Sequence, residues 1–442
     1  MTTKLPKNIV FYGSGLSTVA IYEGLKSYDC NFFWIEDNNS GSAKQQLINL
    51  APDADQTLLI LSPGVPIAKV LDLQPYVSDW IGAIEFETRF FKAHPLIGVT
   101  GSAGKTVTVE LLHHILSSFG LKSVTFGNIG KSLFSYNSND LESCIFIGEF
   151  SSYQLEHHRY DRFDFSILTS LFENHISRHG SFENYFKAKL KILENLDPKG
   201  LAVINIDHKY RDYLLNFCKQ KGFRFKTVSE FDSDADLLVD ISGMRIKTKS
   251  ITIRSIPKHL PFFDRLAFVI PILEEFCSWS EDDLMDILDA FKAPPYRFQI
   301  TKNFGSKIHP RYVINDSKST SLKCVLRALN LAENLNQPVV LMLGGRLKTG
   351  ENLLLFLEEL LKKKDRIRQV ITFGESGSVL SEEIKKRGFK VINFENLRSV
   401  SFSEIDSSCS ILFSPGCESF DEFKSFEDRG QAFDEIANFF FD

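Results

Sequence analysis

Short apolar runs alternate with helix-length amphipathic segments along the whole 442-residue chain, the signature of parallel α/β sheets. In the first region the runs fall at 9–12, 32–35 and 58–61. Each is followed at once by a polar or glycine-rich turn: Gly13-Ser14-Gly15, Glu36-Asp37 and Ser62-Pro63-Gly64. A second set occupies 96–99, 124–126, 144–147, 165–168 and 201–204. The stretch 227–256 alternates irregularly and reads as a small antiparallel sheet. Lys292-Ala-Pro-Pro-Tyr296 breaks any helix and reads as a linker. Beyond it come runs at 312–314, 339–343, 370–373, 391–394 and 411–413, with helices between. Open parallel sheets bind ligands beyond the carboxyl ends of their strands. Asp316, Gly344-Gly345, Gly374 and Ser414 occupy such positions.

Length predicts roughly three domains at about 150 residues each. Hydrophobic content of 43% and charged content of 24% let each bury a core. A net charge of -5 without a basic tract argues against a nucleic-acid or membrane-surface partner. The cysteines at 30, 144, 218, 277, 324, 409 and 417 are odd in number and form no C-x-x-C pair. That usage predicts a reducing cytoplasm. The first residues lack the apolar core of a signal peptide, and no run reaches the ~20 apolar residues of a membrane span. Forty phenylalanines are spread through the chain as core filling.

The most informative segment is Gly98-Val-Thr-Gly-Ser-Ala-Gly-Lys-Thr106. An apolar strand precedes it, and Val107, Leu111, Leu112 and Ile115 follow at helical spacing. A glycine-rich turn there aims backbone N–H groups and the positive helix end at an anion. Gly101, Ser102, Ala103 and Gly104 form the cradle, Lys105 adds a mobile charge, and Thr106 offers a hydroxyl to Mg²⁺. The strict phosphate-loop pattern places glycine where this chain has Val99. Glu149 ends a strand beside the loop if the sheet is parallel, and His175 follows another. Each alone reads as a surface polar group; together they become candidate metal ligands. Lys189 stands on the buried stripe of a helix over 182–196, four residues from Tyr185 and from Leu193. Periodicity alone reads it as a lysine snorkelling along the core edge. The turn Gly13-Ser14-Gly15-Leu16-Ser17-Thr18, with Glu36 or Asp37 ending the next strand, resembles a degenerate dinucleotide fingerprint. It suits a diphosphate or uridine-type ligand better than NAD.

Taken together these motifs resemble the Mur ligase family. The resemblance covers most of the chain, through Thr100-Gly-Ser-Ala-Gly-Lys-Thr106, Gly127-Asn-Ile-Gly130, Glu149-Phe-Ser-Ser-Tyr-Gln-Leu-Glu156, Asn174-His-Ile-Ser-Arg-His-Gly-Ser181 and Ala188-Lys189-Leu190. It continues through Tyr296-Arg297-Phe298, Asn315-Asp-Ser-Lys-Ser-Thr320, Leu343-Gly-Gly345 with Lys348, and Ser414-Pro-Gly-Cys-Glu-Ser-Phe420 to Phe426-Glu-Asp-Arg429. The Arg-His-Gly-Ser, Asn-Asp-Ser-Lys and Ser-Pro…Ser-Phe-Asp pieces are most similar to the branch that adds D-glutamate.

The resemblance implies an α/β fold of three domains. These are an N-terminal Rossmann-like UDP-substrate domain over 1–92, a central phosphate-loop ATP domain over 93–294 and a C-terminal Rossmann-like amino-acid domain over 295–442. It implies ATP-dependent joining of D-glutamate to UDP-N-acetylmuramoyl-L-alanine through an acyl phosphate, in peptidoglycan precursor synthesis, by a cytoplasmic monomer. Lys105, His175 and Lys189 become catalytic. Two Mg²⁺ ions are implied, one on Thr106 and Glu149, the other on Glu149, His175 and a carbamylated Lys189. The UDP substrate falls to Ser14, Gly15, Leu16, Ser17, Glu36, Asp37, Gly64, Asn128 and Ser151. Arg297 and Asp316 fall to ATP, and Lys318, Thr320, Lys348, Ser419, Phe420 and Phe426 to D-glutamate.

Two departures stand out. Asn174-His-Ile-Ser177 replaces Asp-His-Leu-Asp, removing two acidic groups near the metal. His259-Leu-Pro-Phe-Phe263 replaces His-Asn-x-x-Asn, removing the asparagines that would reach adenine. Two alternatives therefore stay open: an amide ligase with another amino-acid acceptor, and a sensor that binds UDP-muramoyl compounds without ligating them. A nicotinamide dehydrogenase would leave the second phosphate loop and the carboxylate–lysine set without a role.

Overall fold

The computed structural model describes residues 5–37, 42–50, 52–91, 94–159, 162–241, 243–249, 252–253, 256, 260, 262–305, 310–333, 335, 337–406 and 408–441. Three sheets form, largely from short apolar strands that alternate with helices, as the pattern predicts; among the described residues the strands over 224–253 and the pair over 299–315 follow one another without a helix between.

In the first sheet, β1 (Asn8–Tyr12), β2 (Asn31–Ile35), β3 (Thr57–Leu61) and β4 (Asp79–Gly82) run parallel in the order β2-β1-β3-β4. β1 is buried along its whole length, which explains its unbroken apolar run. β4 escapes the pattern because Asp79-Trp80-Ile81-Gly82 holds only two apolar residues.

The second sheet contains β5 (Leu96–Thr100), β6 (Ser123–Gly127), β7 (Ile145–Glu149), β8 (Phe163–Leu168), β9 (Leu196–Asn205), β10 (Arg224–Ser229), β11 (Leu237–Asp240), β12 (Arg245–Thr248) and β13 (Thr252–Ile253). Their order is β13-β12-β11-β10-β9-β8-β5-β7-β6. The expectation of an antiparallel sheet over 227–256 holds for β12 with β13. β10 lies parallel to β9 and to β11 instead. The helix Arg211–Lys221 supplies the crossover between β9 and β10, and such a connection makes the strands parallel.

The third sheet contains β14 (Gln299–Gly305), β15 (Pro310–Asn315), β16 (Val339–Gly344), β17 (Ile367–Phe373), β18 (Val391–Asn393) and β19 (Ser410–Gly416), ordered β14-β15-β19-β16-β17-β18. All its pairings are parallel except β14 with β15, an edge strand too polar to register as an apolar run.

The chain forms two compact units. One comprises residues 1–239, 246–257 and 262–291 and holds the first sheet with most of the second. The other comprises 240–245, 258–261 and 292–442 and holds the third sheet. The helix over the linker region ends at Ala290, and Lys292–Tyr296 is non-helical, as the two prolines require. No helix among the described residues is long and apolar enough to cross a membrane.

Candidate functional site

The fully buried β5 delivers the chain into the turn Gly101–Gly104, and the helix Lys105–Ser118 leaves it. Gly104 takes a left-handed φ of 84° at the helix entrance, a conformation natural to glycine. The end of β8 braces the turn. Ser102 N donates to Ser170 O at 2.9 Å, Ala103 N to Ser170 Oγ at 2.9 Å, and Ser102 Oγ to Phe172 O at 2.8 Å. Lys105 Nζ donates to Gly101 O at 3.0 Å, inside the turn, and half-buried Thr106 stands in the first helical turn. Val99, at the position of the missing glycine, is fully buried inside β5, so the departure leaves the turn itself intact.

β7 lies parallel to β5 and β6, which carries Glu149 to the mouth of this turn. Glu149 is 2% exposed; its Oε1 accepts from Asn128 Nδ2 at 2.7 Å, and its Oε2 has no hydrogen-bond partner. A buried carboxylate oxygen without a donor is costly. It is also the hard oxygen ligand that Mg²⁺ takes, so the position fits a magnesium ion. Lys189 comes to the same place from the helix Phe182–Glu194. It is 2% exposed and donates to Gly101 O at 2.9 Å and Thr100 Oγ1 at 3.2 Å. Burial, and then the nearby charge of Lys105, push its amine well below the usual lysine range, against the opposing pull of Glu149. An uncharged amine is a nucleophile that can take up CO₂, and the resulting carbamate would be a second oxygen donor. The reading of Lys189 as a lysine snorkelling to solvent is thus overturned: its head group is buried. No cluster of three or more His, Cys, Asp and Glu side chains occurs among the described residues. A magnesium site here would draw its further ligands from hydroxyl, imidazole, carbamate, phosphate and water.

His175 is exposed, caps the short helix Ile176–His179 in a left-handed conformation, and lies 3.2 Å from Tyr153 Oη through Nδ1. Ser151 caps the helix Ser152–Glu156 with a reciprocal Gln154 contact. These two short helices grip the first sheet. Arg178 donates to Gly64 O at 3.3 Å, Val65 O at 3.2 Å and Glu156 Oε2 at 2.9 Å, while His157 Nε2 meets Val65 O at 2.8 Å. Gly64 itself has open space where a Cβ would stand.

At the first sheet's carboxyl edge Leu16 is 92% exposed, an apolar platform beside the Gly13–Gly15 turn. Thr18 Oγ1 closes that turn with bonds of 2.8 Å to the carbonyls of Gly13 and Gly15. Ser14 and Ser17 flank the exposed platform in sequence, and Glu36 N bonds Gln46. Asp37 accepts from Tyr12, Lys69 and the Ala43 amide; that amide first, then Lys69, hold its carboxyl at about 2.

In the other unit, Asp316 follows β15. It accepts from Phe298 N at 3.0 Å and Ser414 Oγ at 2.8 Å, and burial raises its carboxyl to about 7. Tyr296 and Phe298 both adopt positive φ around Arg297, whose guanidinium is 5.8 Å from the Phe426 ring. Lys318 Nζ lies 3.9 Å over that same ring, and Lys348 Nζ reaches Thr320 Oγ1 at 3.4 Å. Ser419 is buried, whereas Phe420 is 61% exposed.

Sequence reasoning missed several groups. Arg429 is fully buried and donates to Ser317 Oγ, Ser317 O and Cys417 O at 2.8–3.1 Å, tying together two loops that carry Lys318 and Ser419. Its spacing to Ala432 and Phe433 places it on the buried stripe of the helix Phe426–Phe441, the same signal that singled out Lys189. Arg178, Glu156 and His157 gave no comparable signal, because their partners are backbone carbonyls remote in sequence. Phe263 is fully buried, and the next residues, Asp264 and Arg265, form an ion pair of 2.7 Å. His259 and Pro261 lie outside the described residues.

Comparison with known proteins places this geometry. Residues 99–262 match the model of the Mur ligase middle domain. The chain is 31% identical over 430 residues to a UDP-N-acetylmuramoylalanine--D-glutamate ligase of Leptospira interrogans, covering 89% of this chain and 88% of the relative. It is 28% identical to the enzyme of that name from Caldicellulosiruptor bescii, covering 98% and 97%. Among solved structures, MurF ligase from Thermotoga maritima in complex with ADP is similar at a TM-score of 0.60, with 15% identity over 99% of this chain and 95% of that one. UDP-N-acetylmuramate-alanine ligase MurC from the same organism gives 0.58, with 16% identity over 98% and 99%.

Proposed function

Because the chain belongs to the Mur ligase family, we propose that it joins D-glutamate to UDP-N-acetylmuramoyl-L-alanine at the expense of ATP, a step of peptidoglycan precursor synthesis. The observation that carries this reading is the convergence of Lys105, the unpaired Glu149 oxygen and the buried Lys189 amine on one phosphate-binding turn. Its support from outside the geometry is the similarity, over nearly nine-tenths of the chain, to ligases named for that reaction.

Domains divided at 1–92, 93–294 and 295–442 would hold the UDP substrate, ATP and the amino acid. The phosphates of ATP would rest on the amides of Gly101–Thr106 at the positive helix end. Thr106 and Glu149 would hold one Mg²⁺, and Glu149, His175 and carbamylated Lys189 the other. Bound there, the ions neutralise the phosphate charge that develops during transfer. Lys105 adds a mobile cation beside them. The L-alanine carboxylate attacks the γ-phosphorus, the bond to ADP breaks, and the acyl phosphate is then attacked by the D-glutamate amine with loss of phosphate. Asn128 and Ser151 would position the muramoyl end. Leu16 would pack on the uracil-bearing end, with Ser14, Gly15, Ser17, Glu36, Asp37 and Gly64 around it. Arg297 and Asp316 would meet the nucleotide, and Lys318, Thr320, Lys348, Ser419, Phe420 and Phe426 the acceptor.

A coupled phosphate-release assay with ATP, Mg²⁺ and UDP-N-acetylmuramoyl-L-alanine across amino acids tests this. Turnover is expected with D-glutamate; no release above background overturns the reading, and preference for another amino acid relocates the chain within the family.

A further inference from the structure

The segment that lacks the adenine-reaching asparagines holds a charged group of its own. The turn Phe263–Arg265 leads into the wholly buried helix Leu266–Leu273, which packs on the phosphate-loop helix Lys105–Ser118. This brings the Arg265 guanidinium against the loop itself. A Cβ on Gly104 would lie 2.6 Å from Nη1, 2.7 Å from Cζ and 3.0 Å from Nε of Arg265. The guanidinium therefore fills the space that glycine leaves at the helix entrance. Arg265 is 3% exposed and Asp264 likewise, and the Asp264 carboxylate takes Nη2 at 2.7 Å. The atoms nearest Gly104 are thus not the one given to Asp264.

A permanently charged group is costly to bury. Apolar side chains like those on either side of it, Phe263 and Leu266, would fill the same space more cheaply. The anion-binding end of the helix, against which the guanidinium packs, gives such a charge a use. Here the glycine, the positive helix end and Lys105 already favour phosphate.

We infer that Arg265 is a phosphate ligand of the bound nucleotide, contacting the polyphosphate from the Gly104 side while Asp264 holds its guanidinium in place. Affinity for the nucleotide then rests more on the phosphates than on the base, in a chain whose asparagines for adenine are absent. The inference rests on the reading of Gly101–Thr106 as the nucleotide site.

The test is calorimetric titration of the full-length protein with ATP, GTP and inorganic tripolyphosphate in Mg²⁺, using wild type, Arg265→Gln and Arg265→Lys. Arg265→Gln is expected to weaken all three by a similar factor, about tenfold to hundredfold for a lost charge-assisted hydrogen bond. Arg265→Lys is expected to recover part of the loss. Unchanged tripolyphosphate affinity overturns the inference, and so does a loss confined to ATP, which would make Arg265 a reader of the base. If wild type binds none of the three, the nucleotide reading itself fails. Should Arg265→Gln not fold, Asp264→Asn is measured in its place: weaker binding of all three ligands supports the inference, and unchanged binding overturns it.

Discussion

Lys189 Nζ donates to the carbonyl of Gly101 at 2.9 Å, so a lysine from one helix closes on the turn at the start of another. The same turn receives Lys105 through the same carbonyl. Burial, and then the repulsion between two lysine head groups on one oxygen, drive Lys189 toward its neutral form. Reaction of that neutral amine with CO₂ would form an N–C bond, release a proton and leave an anion beside Lys105. Lys189→Ala is therefore expected to reduce kcat by about a hundredfold to a thousandfold, the scale for removing one group that stabilises developing charge. Lys189→Glu restores a carboxylate and is expected to recover part of it. Full activity in Lys189→Ala, measured by phosphate release, would exclude the carbamate.

The clamp of Arg178 on Gly64 and Val65 links the helix after His175 to the turn after β3. Glu156, on the helix that follows Glu149 and Ser151, fixes the guanidinium. A UDP substrate seated against Gly64, as proposed, would thus be positioned by the same pieces of chain that carry Ser151 and His175. Arg178→Ala is expected to raise KM for the UDP substrate about tenfold, from one lost charge-assisted interaction, while KM for ATP changes little. Arg178→Lys should recover only part, since a single ammonium does not match the forked guanidinium. Equal loss for both substrates would mean general destabilisation instead.

Glu87 offers a test by pH. It is fully buried on the helix Ala83–Phe90, its Oε2 accepts from Leu133 N at 2.7 Å, and its Oε1 has no hydrogen-bond partner. Burial raises its carboxyl to about 8 from an ordinary 4.5. The folded protein then keeps a proton that the unfolded chain releases, so stability from this group is complete below pH 4.5 and is lost as pH rises to about 8. At ~1.4 kcal/mol per pH unit, the full loss is of the order of a few kcal/mol. Glu87→Gln mimics the protonated acid. Urea denaturation should find it close to wild type at pH 5 and more stable at pH 8. A variant no more stable than wild type at pH 8 would show that Glu87 is charged in the fold.

How much of this was legible depends on the distance between partners. The turn Gly101–Thr106 is local, and its strand, glycines and helix are consecutive, so its form was legible in the sequence. The helical spacing around Lys189 gave its place on the buried stripe but neither the burial of its head group nor what it faces, because those follow from the β8-β5-β7 order of the sheet. The Asn128–Glu149 bond likewise exists because β6 and β7 are neighbours. Arg265 was invisible: nothing in Phe263-Asp-Arg265 indicates that its helix packs on the phosphate-loop helix. The strands β4 and β14 were missed because edge strands have one side in solvent or a loop and need fewer apolar residues.

The acceptor end carries the final test. D-glutamate presents two carboxylates, and the unit that holds β14–β19 offers Lys318 over the Phe426 ring and Lys348 beside Thr320. Phe426 fixes the lysine by cation–π contact, worth about 0.5–1 kcal/mol at an exposed position, so the ring and the charge should act together. Lys348→Met and Lys318→Met are each expected to raise KM for D-glutamate about tenfold to hundredfold, as lost charge-assisted contacts do. KM for ATP should stay within about twofold, since a contact made to one substrate leaves the others' uniform binding unaltered. Phe426→Ala should reproduce a smaller part of the Lys318→Met effect, and the double variant should fall short of the sum, because the pair is coupled. Initial rates against D-glutamate concentration decide it: additive losses would separate the ring from the lysine, and an unchanged KM in both lysine variants would move the acceptor site elsewhere.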